Sequence, residues 1–283
     1  MIAVVIPSIR PKKLKEFKQY WEYYFDLYHI VLVEVLDGEK PTVNGLSVKQ
    51  VMGDDSDLIY NFNDGVRNLG FAYIAKYMPD TEIIISFDDD VEPDGNTIRS
   101  HLDALEMKVP ITWMSTADKF TRGFPYNKRE EAEVVLSHGV WNGVADWDAP
   151  TQLIKGNRPI EFYKGVIPKG CLFPLCAMNF AFKTKILPYI YQAPMFDGIN
   201  RFADIWGGIE CKKDLDKMDL AVVTGYAMVK HRRASNVFDN IVNEAKGLRM
   251  NEHYGEDKYF KTYKLKRNRW KKWVKSQSVV SVG

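Results

Sequence analysis

The chain has little cysteine, no strong charge imbalance and no long apolar run. Its three cysteines, Cys171, Cys176 and Cys211, are too few and wrongly spaced for a disulfide framework or a zinc site. The formal net charge of +2 favours neither nucleic acid nor a membrane surface as a partner. The apolar run that ends before Pro7 is too short for a signal peptide or a membrane span. We therefore expect a cytoplasmic protein with no transmembrane segment.

Two nucleotide-binding motifs are also absent. No G-x-G-x-x-G follows the first predicted strand, which disfavours a dinucleotide cofactor, and no G-x-x-x-x-G-K-[ST] occurs, which disfavours a P-loop NTPase. The composition is otherwise ordinary for a globular protein, with 46% hydrophobic and 27% charged residues. The 283 residues suffice for one large domain or two small ones.

The first half of the chain alternates strand and helix patterns. The stretches "IAVVI", "HIVLVEV" and "EIIISF" are typical of buried strands, and helical patterns separate them. This order predicts an α/β fold with a doubly wound, mostly parallel sheet, completed by a smaller mixed region on the sugar or acceptor side. We place the main domain at residues 1–250 and a basic, aromatic tail at 251–283. Ligands of such sheets bind at the carboxyl ends of the strands.

The stretch "SFDDDVEP" places three adjacent carboxylates at such a strand end. Asp88 and Asp90 are two residues apart and project to the same side of an extended chain. Their oxygen atoms suit Mg²⁺ or Mn²⁺, and Mg²⁺ usually shares its coordination with substrate phosphates. A nucleotide-sugar fits this arrangement. The alternative is a solvated acidic turn that caps the helix predicted near Asn96.

Several rare stretches carry a resemblance to a known family. They are "VIPSIR", the triple aspartate, "FTRGFPYNKRE", "SHGVW", "DWDAPTQL", "IPKGCLFPLCAMNFAF", "DIWGG" and "KHRRASN", within residues 2–245. The chain resembles the reversibly glycosylated polypeptides, also called UDP-arabinopyranose mutases, of glycosyltransferase family 75. The resemblance implies a GT-A-type fold, a UDP-sugar ligand, with UDP-arabinose the first choice, and a divalent metal, Mn²⁺ or else Mg²⁺.

The resemblance also implies roles for individual residues. Asp90 and Asp88 would bind the metal, and His231 would supply a further ligand. A site with imidazole and carboxylate ligands favours manganese over magnesium. A surface histidine is the alternative for His231, and a structural one for His138. Helix caps or surface ion pairs are the alternatives for Arg10, Asp37, Asp64 and Arg67. The residues expected to bind the nucleotide-sugar are Pro7, Ser8, Arg10, Asp37, Asp64, Arg67, Asp88, Asp89, His138, Asp148 and Trp206.

The expected catalytic residues are Arg122, Arg129 and Asp204. The resemblance implies that Arg122 is the site of reversible self-glycosylation and that Arg129 supports activity. From the residues alone, an arginine is a poor nucleophile and its fork suits a diphosphate, so a diphosphate clamp stays open for both. Asp204 is expected to bind a sugar hydroxyl or to act as a general base. The family usually has a second acidic residue beside it, where this chain has Ala203. The identity of the sugar therefore stays open.

The leading interpretation is therefore a metal-dependent mutase, with self-glycosylation, that interconverts UDP-arabinopyranose and UDP-arabinofuranose. No flavin motif is present, which disfavours a redox-assisted mutase. One alternative is a glycosyltransferase that moves the sugar to a glycan, a protein or a modified nucleobase. Another is a non-catalytic UDP-sugar-binding subunit. The sequence leaves open whether the chain forms a homo-oligomer.

The tail concentrates the positive charge of the chain. Residues 256–275 hold nine Lys or Arg and two acidic residues, a net charge of +7 against +2 for the whole chain. Phe260, Tyr263, Trp270 and Val274 fall at helical spacing, with Arg267 interrupting the stripe. One interpretation is a terminal helix that docks this stripe on the core. The other is a helix that contacts an anionic partner, such as nucleic acid or acidic lipid head groups.

Overall fold

A mixed β-sheet flanked by helices forms the centre of the molecule. The computed structural model describes residues 1–115, 120–156, 158, 160–232 and 236–280. The strands are β1 (Ile2–Ser8), β2 (Ile30–Leu36), β3 (Thr42–Val43), β4 (Leu46–Ser47), β5 (Ile83–Phe87), β6 (Val91–Pro93), β7 (Lys108–Val109), β8 (Ala132–Gly143), β9 (Gly165–Ile167), β10 (Asn179–Lys183) and β11 (Ala221–His231). The helices are α1 (Pro11–Leu27), α2 (Val48–Met52), α3 (Arg67–Tyr77), α4 (Thr97–Glu106), α5 (Ala149–Lys155), α6 (Ala203–Lys217), α7 (Val237–Glu252) and α8 (Lys258–Val280).

The strand order brings five strand ends to one edge of the sheet. Along the main path the order is β4-β3-β2-β1-β5-β10-β8-β11-β6. Strand β1 is parallel to β2 and β5, and β8 is parallel to β11. Strand β10 is antiparallel to both β5 and β8, so those two run in the same direction. The carboxyl ends of β1, β2, β5, β8 and β11 therefore share one edge. The predicted α/β class is confirmed. The sheet is mixed, and its most extensive strand pairings are parallel.

Helices cover both faces of this sheet, as the alternation along β1 requires. Val4 and Ile6 pack toward α1 and α4, while Ala3 and Val5 pack toward α3, α6 and α8. Helix α3 lies so close to the sheet that a Cβ atom on its Gly70 would lie 2.5 Å from the Val5 side chain. Within the described ranges, no helix is both long and apolar enough to cross a bilayer.

Helix α8 docks its aromatic stripe on the core. Tyr263 and Trp270 are almost fully buried, and the interrupting Arg267 is only 5% exposed. Burial of that guanidinium is compensated, since it forms a 2.8 Å ion pair with Asp214 and donates to the Glu210 carbonyl at 2.9 Å. The docked-helix interpretation is thus confirmed. The outer face of α8 still exposes lysines, including Lys261 and Lys272, and an anionic partner for that face stays a prediction.

We predict that Trp270→Ala lowers the free energy of unfolding by about 3–5 kcal/mol, because it removes a fully buried ring. The matched control is Leu265→Ala on the same helix, whose side chain is 68% exposed and whose loss should cost at most about 0.5 kcal/mol. Urea denaturation of both variants measures the difference. Equal, small losses in the two variants would contradict the docked position of α8.

Candidate active site

A continuous cleft runs along the edge where the strand ends meet. It consists of two adjoining cavities of about 500 Å³ each. The β2 side is the cavity lined by the ends of β1 and β2 and by the loop before α3; the β8 side is the cavity lined by β8, β11 and the start of α6. The two cavities share Asp64, Arg67, Asp88, Asp90 and Arg201.

Two arginines hold the triple aspartate together. Arg67 reaches from the start of α3 and pairs with Asp88, and it also donates to Ser86 Oγ at 2.9 Å. Arg10 reaches from the residue before α1 and pairs with Asp89, and it lies 3.1 Å from Asp90. The acidic triplet is therefore not a solvated turn.

The three aspartates face different surroundings. Asp88 and Asp90 line both cavities, although Asp89 and Asp90 lie in a turn and not in the extended chain that the spacing argument assumed. Asp89 lines only the β2 side of the cleft. Asp89 is buried and also accepts a hydrogen bond from Ser8. The following helix is capped by its own Asn96, whose side chain accepts from the Arg99 amide at 3.0 Å. The triplet is thus free of any capping role for α4.

The pairing register explains why Asp90 and His231 line the same cavity. His231 pairs with Val91, the residue that follows Asp90, when β11 meets β6. Its Nδ1 lies 2.9 Å from the Val144 carbonyl oxygen, which can only accept, so Nδ1 carries the proton and the Nε2 lone pair stays available for a metal. A Cβ atom at Gly143, which has φ +96°, would lie 2.5 Å from the His231 carbonyl oxygen. Glycine is required there.

The predicted metal ligands are therefore neighbours with suitable donor atoms. Asp88 and Asp90 offer oxygen and His231 offers nitrogen to the β8 side of the cleft. Burial, followed by the charge of Asp88, raises the pKa of Asp90, and His231 and Arg10 oppose this. A cation at this point would relieve the repulsion. Among the described residues, however, no three acidic, histidine or cysteine side chains form an assembled metal cluster.

The β2 side contains the residues predicted from the first strand ends. Pro7, Ser8, Arg10 and Asp37 all line it. The Asp37 carboxylate accepts from the Phe62 amide at 2.8 Å and from the Gly38 amide at 2.8 Å, so it orders the loop that forms this wall. Burial raises the pKa of Asp37, and these hydrogen bonds oppose that rise.

His138 lines the β8 side, but both of its ring nitrogens are engaged within the protein. Nδ1 lies 2.8 Å from Thr224 Oγ1, and Nε2 accepts from the Cys176 amide at 3.3 Å. Burial lowers the pKa of His138 to about 3, so the ring is neutral at physiological pH. This geometry favours the structural interpretation of His138 and leaves it able to offer only its ring surface to a ligand.

Asp204 stands in the first turn of α6 and faces the β8 side. Its Oδ2 accepts from the Ala177 amide at 2.9 Å, and its Oδ1 accepts from the Ile205 amide at 2.9 Å. Burial, and next the nearby Asp64, raise the pKa of Asp204 to about 8. Asp146 on the same wall also has a raised pKa because of burial. A carboxyl group that gains and loses a proton near neutral pH is suited to general acid–base chemistry.

Two other predicted residues have mainly structural contacts. Asp148 lines the β8 side but caps α5, with its Oδ1 accepting from the Thr151 amide at 3.0 Å. Trp206 is fully buried and lines neither side of the cleft. It points into the core toward α7 and α8, where its Nε1 donates to Asn251 Oδ1 at 3.0 Å. The structure therefore does not bring Trp206, which was predicted to bind the nucleotide-sugar, to the cleft.

Arg122 and Arg129 also lie outside the cleft. Their segment leads into β8 at Ala132, the end opposite the cleft, because the carboxyl end of β8 is the one that pairs with His231. Arg122 is exposed, and Arg129 stacks on Tyr126 with 3.8 Å between guanidinium and ring centre. Neither residue lines either cavity, so the structure does not bring a diphosphate clamp from this segment to the site.

Many lining residues were not foreseen from the sequence, including four with polar or ionisable side chains. Arg201 precedes α6, Cys176 precedes β10, and Asn243 and Glu244 project from α7. The position of Arg201, three residues before Asp204, is the signal that could have indicated it. Nothing in the sequence indicated that α7 would form a wall of the cleft.

Comparison with known proteins agrees with this architecture. The family model for reversibly glycosylated polypeptides matches residues 1–274. The chain belongs to the reversibly glycosylated polypeptide family. The match extends past residue 245 and takes in most of α8, so the family pattern includes the docked tail.

Three plant relatives support the assignment of the chain to this family. The chain is 34% identical over 282 residues to probable UDP-arabinopyranose mutase 1 of Zea mays, which covers 87% of this chain and 74% of the maize protein. It is 33% identical to UDP-arabinopyranose mutase 1 of Oryza sativa subsp. japonica and 34% identical to UDP-arabinopyranose mutase 3 of Arabidopsis thaliana, each over 282 residues with the same coverage. These relatives have enzyme names, which indicates an enzymatic function for the family.

Among solved structures, the chain is similar to the crystal structure of A197 from STIV. The TM-score is 0.40 at 10% identity, over 82% of this chain and 86% of that one. This likeness is too distant to support a conclusion on function.

We predict that Asp204→Asn removes a pH-dependent loss of thermal stability. Because the pKa of Asp204 is raised from 3.8 to about 8, its contribution to stability is fully present below pH 3.8 and is lost as the pH rises through 8. The neutral asparagine does not ionise, so the melting temperature of the variant relative to the wild type should rise between pH 5 and 9. Melting curves over that range measure this.

The matched control is Asp103→Asn, which removes an exposed carboxylate from α4 and should melt in parallel with the wild type at every pH. If Asp204→Asn also runs parallel to the wild type, Asp204 is already ionised in the folded protein and the assignment fails.

Proposed function

We propose that this protein is a metal-dependent UDP-sugar mutase that interconverts UDP-arabinopyranose and UDP-arabinofuranose on a GT-A-type fold. The observation that carries the proposal is the two-sided cleft, in which a cavity built from the first two strand ends adjoins one lined by carboxyl groups. A UDP-sugar has the same two parts, joined by a diphosphate. The names of the maize, rice and Arabidopsis relatives agree with this choice.

The proposed nucleotide position is the β2 side. Asp37 would accept from uracil or ribose, and Pro7 and Ser8 line the same cavity. Asp88, Asp90 and His231 are the residues that would hold Mn²⁺ or Mg²⁺. When bound, the metal would offset negative charge on the departing UDP.

The proposed chemistry takes place on the β8 side. The C1–oxygen bond breaks with its electron pair going to the β-phosphate of UDP. The sugar O4 then bonds to C1 and gives its proton to Asp204. Next the C1–O5 bond breaks as the phosphate oxygen rejoins C1, and O5 takes a proton from Asp204. A pKa of about 8 suits a group that must both accept and return a proton near neutral pH.

One incubation distinguishes this proposal from its alternatives. The protein is given UDP-arabinopyranose and Mn²⁺ alone, and the products are separated by chromatography. Formation of UDP-arabinofuranose supports the mutase. Release of UDP only when a glycan, protein or nucleobase acceptor is added indicates a transferase, and binding with no turnover indicates a binding subunit.

We predict that Asp90→Asn abolishes metal-dependent turnover while the protein stays folded. The substitution removes a negative oxygen donor from the cleft and keeps the side-chain volume. The control is Asp94→Asn, outside both sides of the cleft, which should retain wild-type turnover. A manganese titration of activity that is the same for Asp90→Asn and the wild type would remove Asp90 from the metal site.

Self-glycosylation at Arg122 is the second part of the proposal. Intact-mass analysis after exposure to a UDP-sugar should show one added glycosyl unit in the wild type and none in Arg122→Lys. Because Arg122 is exposed and lines neither side of the cleft, we expect Arg122→Lys to retain most of its mutase turnover. Loss of turnover together with the adduct would instead assign Arg122 a catalytic role.

A further inference from the structure

Arg201 stands where the two sides of the cleft meet. It is one of five residues that line both cavities, and the others include Asp64 and Arg67. Burial raises the pKa of Asp64 and of Asp146, and the charge of Arg201 partly offsets the rise at both. Arg201 thus interacts electrostatically with two carboxylates of the cleft, and it lines both cavities at the point that a group bridging them must pass.

The other two arginines of this region are already engaged. Arg67 is only 1% exposed and binds Asp88 and Ser86, and Arg10 binds Asp89 and Asp90. Both guanidinium groups hold the acidic triplet. The Arg201 side chain is 36% exposed, against 30% for Arg10, but its carboxylate partner lies outside the acidic triplet, so its guanidinium is not committed to holding the three aspartates.

A buried carboxylate fixes the position of Arg201. Glu244 Oε1 lies 2.8 Å from Arg201 Nε, and the Glu244 side chain is 5% exposed. The second oxygen, Oε2, accepts from the Ala149 amide at 2.7 Å, at the start of α5. Glu244 therefore joins the wall that carries Arg201 to the wall that carries Asp146. Nε is the nitrogen beside Glu244, and Nη1 and Nη2 are the further donors of the guanidinium.

The backbone at Arg201 is also held in an unusual conformation. Its φ of +60° lies in the left-handed region, which is uncommon for residues other than glycine. The Asn200 side chain stabilises it by accepting from the Arg201 amide at 2.8 Å. Strained backbone of this kind is frequent at ligand sites, where it is maintained by the surrounding contacts.

We propose that Arg201 binds the β-phosphate of the nucleotide-sugar, with Glu244 as its positioning residue. A guanidinium edge matches two phosphate oxygens, and the phosphate attached to the sugar is the one that lies between the two cavities. This assignment rests on the proposed function, since it requires a uridine diphosphate in the cleft. It moves the diphosphate clamp from Arg122 and Arg129 to a residue that lines the cleft.

The test compares UDP with UMP, which lacks the β-phosphate. Calorimetric titrations in Mn²⁺ buffer give the affinity of each nucleotide for the wild type and for Arg201→Ala. We expect Arg201→Ala to weaken UDP by roughly 10- to 100-fold, as for loss of a hydrogen-bonded charge pair, and to leave UMP within about threefold. Arg201→Lys keeps the charge and loses the fork, so its loss for UDP should be intermediate. Arg99→Ala, which removes an exposed arginine on α4, is the control and should not change either affinity.

Glu244→Gln tests the positioning role. We expect it to weaken UDP more than UMP in the wild-type background and to have no further effect on UDP in the Arg201→Ala background, because its action passes through the arginine. Equal losses of UDP in both backgrounds would show that Glu244 acts only on the structure of the wall.

The outcomes separate this inference from the function on which it rests. If the wild type binds neither nucleotide, the proposed function fails. If the wild type prefers UDP and Arg201→Ala keeps the same UDP to UMP ratio, the assignment of Arg201 is overturned while the function stands. An equal loss of UDP and UMP also overturns the β-phosphate assignment. If Arg201→Ala does not fold, the same ratio measured for Arg201→Lys decides.

Discussion

The balance of charge at the end of β5 is the interaction on which the cleft depends. Three neighbouring carboxylates would repel each other, and Arg67 and Arg10 offset this from opposite sides. Arg67 is 1% exposed, and a buried guanidinium without its carboxylate would be strongly destabilising. The same ion pairs fix the starts of α1 and α3 relative to the strand. The same ion pairs therefore shape the floor of the cleft and hold α1 and α3 in position.

A second, neutral network supports the cleft from behind. His101 lies 2.7 Å from Asn179 Oδ1 and 2.9 Å from Ser137 Oγ, so it joins α4 to β10 and β8. Asn179 also donates to the Val140 carbonyl at 3.0 Å. The side chain of Asn179 fills the space beside Gly139, where a Cβ atom would lie 2.0 Å from its amide nitrogen. Hydrogen-bonded polar groups thus connect the β8 wall to β10 and α4.

The sequence predicted those parts of the fold and site that depend on local pattern. Buried runs indicated the strands β1, β2 and β5, and Asp88 and Asp90 line the cleft because they follow the carboxyl end of β5, in the turn before β6. The approach of His231 to Asp90 depends on the register between β11 and β6, for which only the family resemblance gave a signal.

What the sequence did not reveal depends on tertiary packing. Trp206 lies on a helix whose buried face is decided by α8, and the motif around it gave no indication of that face. Arg122 and Arg129 precede β8, so their distance from the cleft follows from the direction of that strand in the sheet. Glu244 contributes because α7 packs beside α5, an arrangement that no spacing in the chain encodes.

The docking of α8 has a consequence for how the chain folds. Arg269 pairs with Asp55 across 214 residues of sequence, and Trp270 donates to the Leu187 carbonyl across 83. Contacts of such long range slow folding, because the entropy of closing the intervening loop must be lost before they form. Until α8 is synthesised, the sheet face that it covers lacks its apolar partner. Helix α8 therefore completes the core formed by the first strands, and the nascent chain depends on its arrival to bury that face.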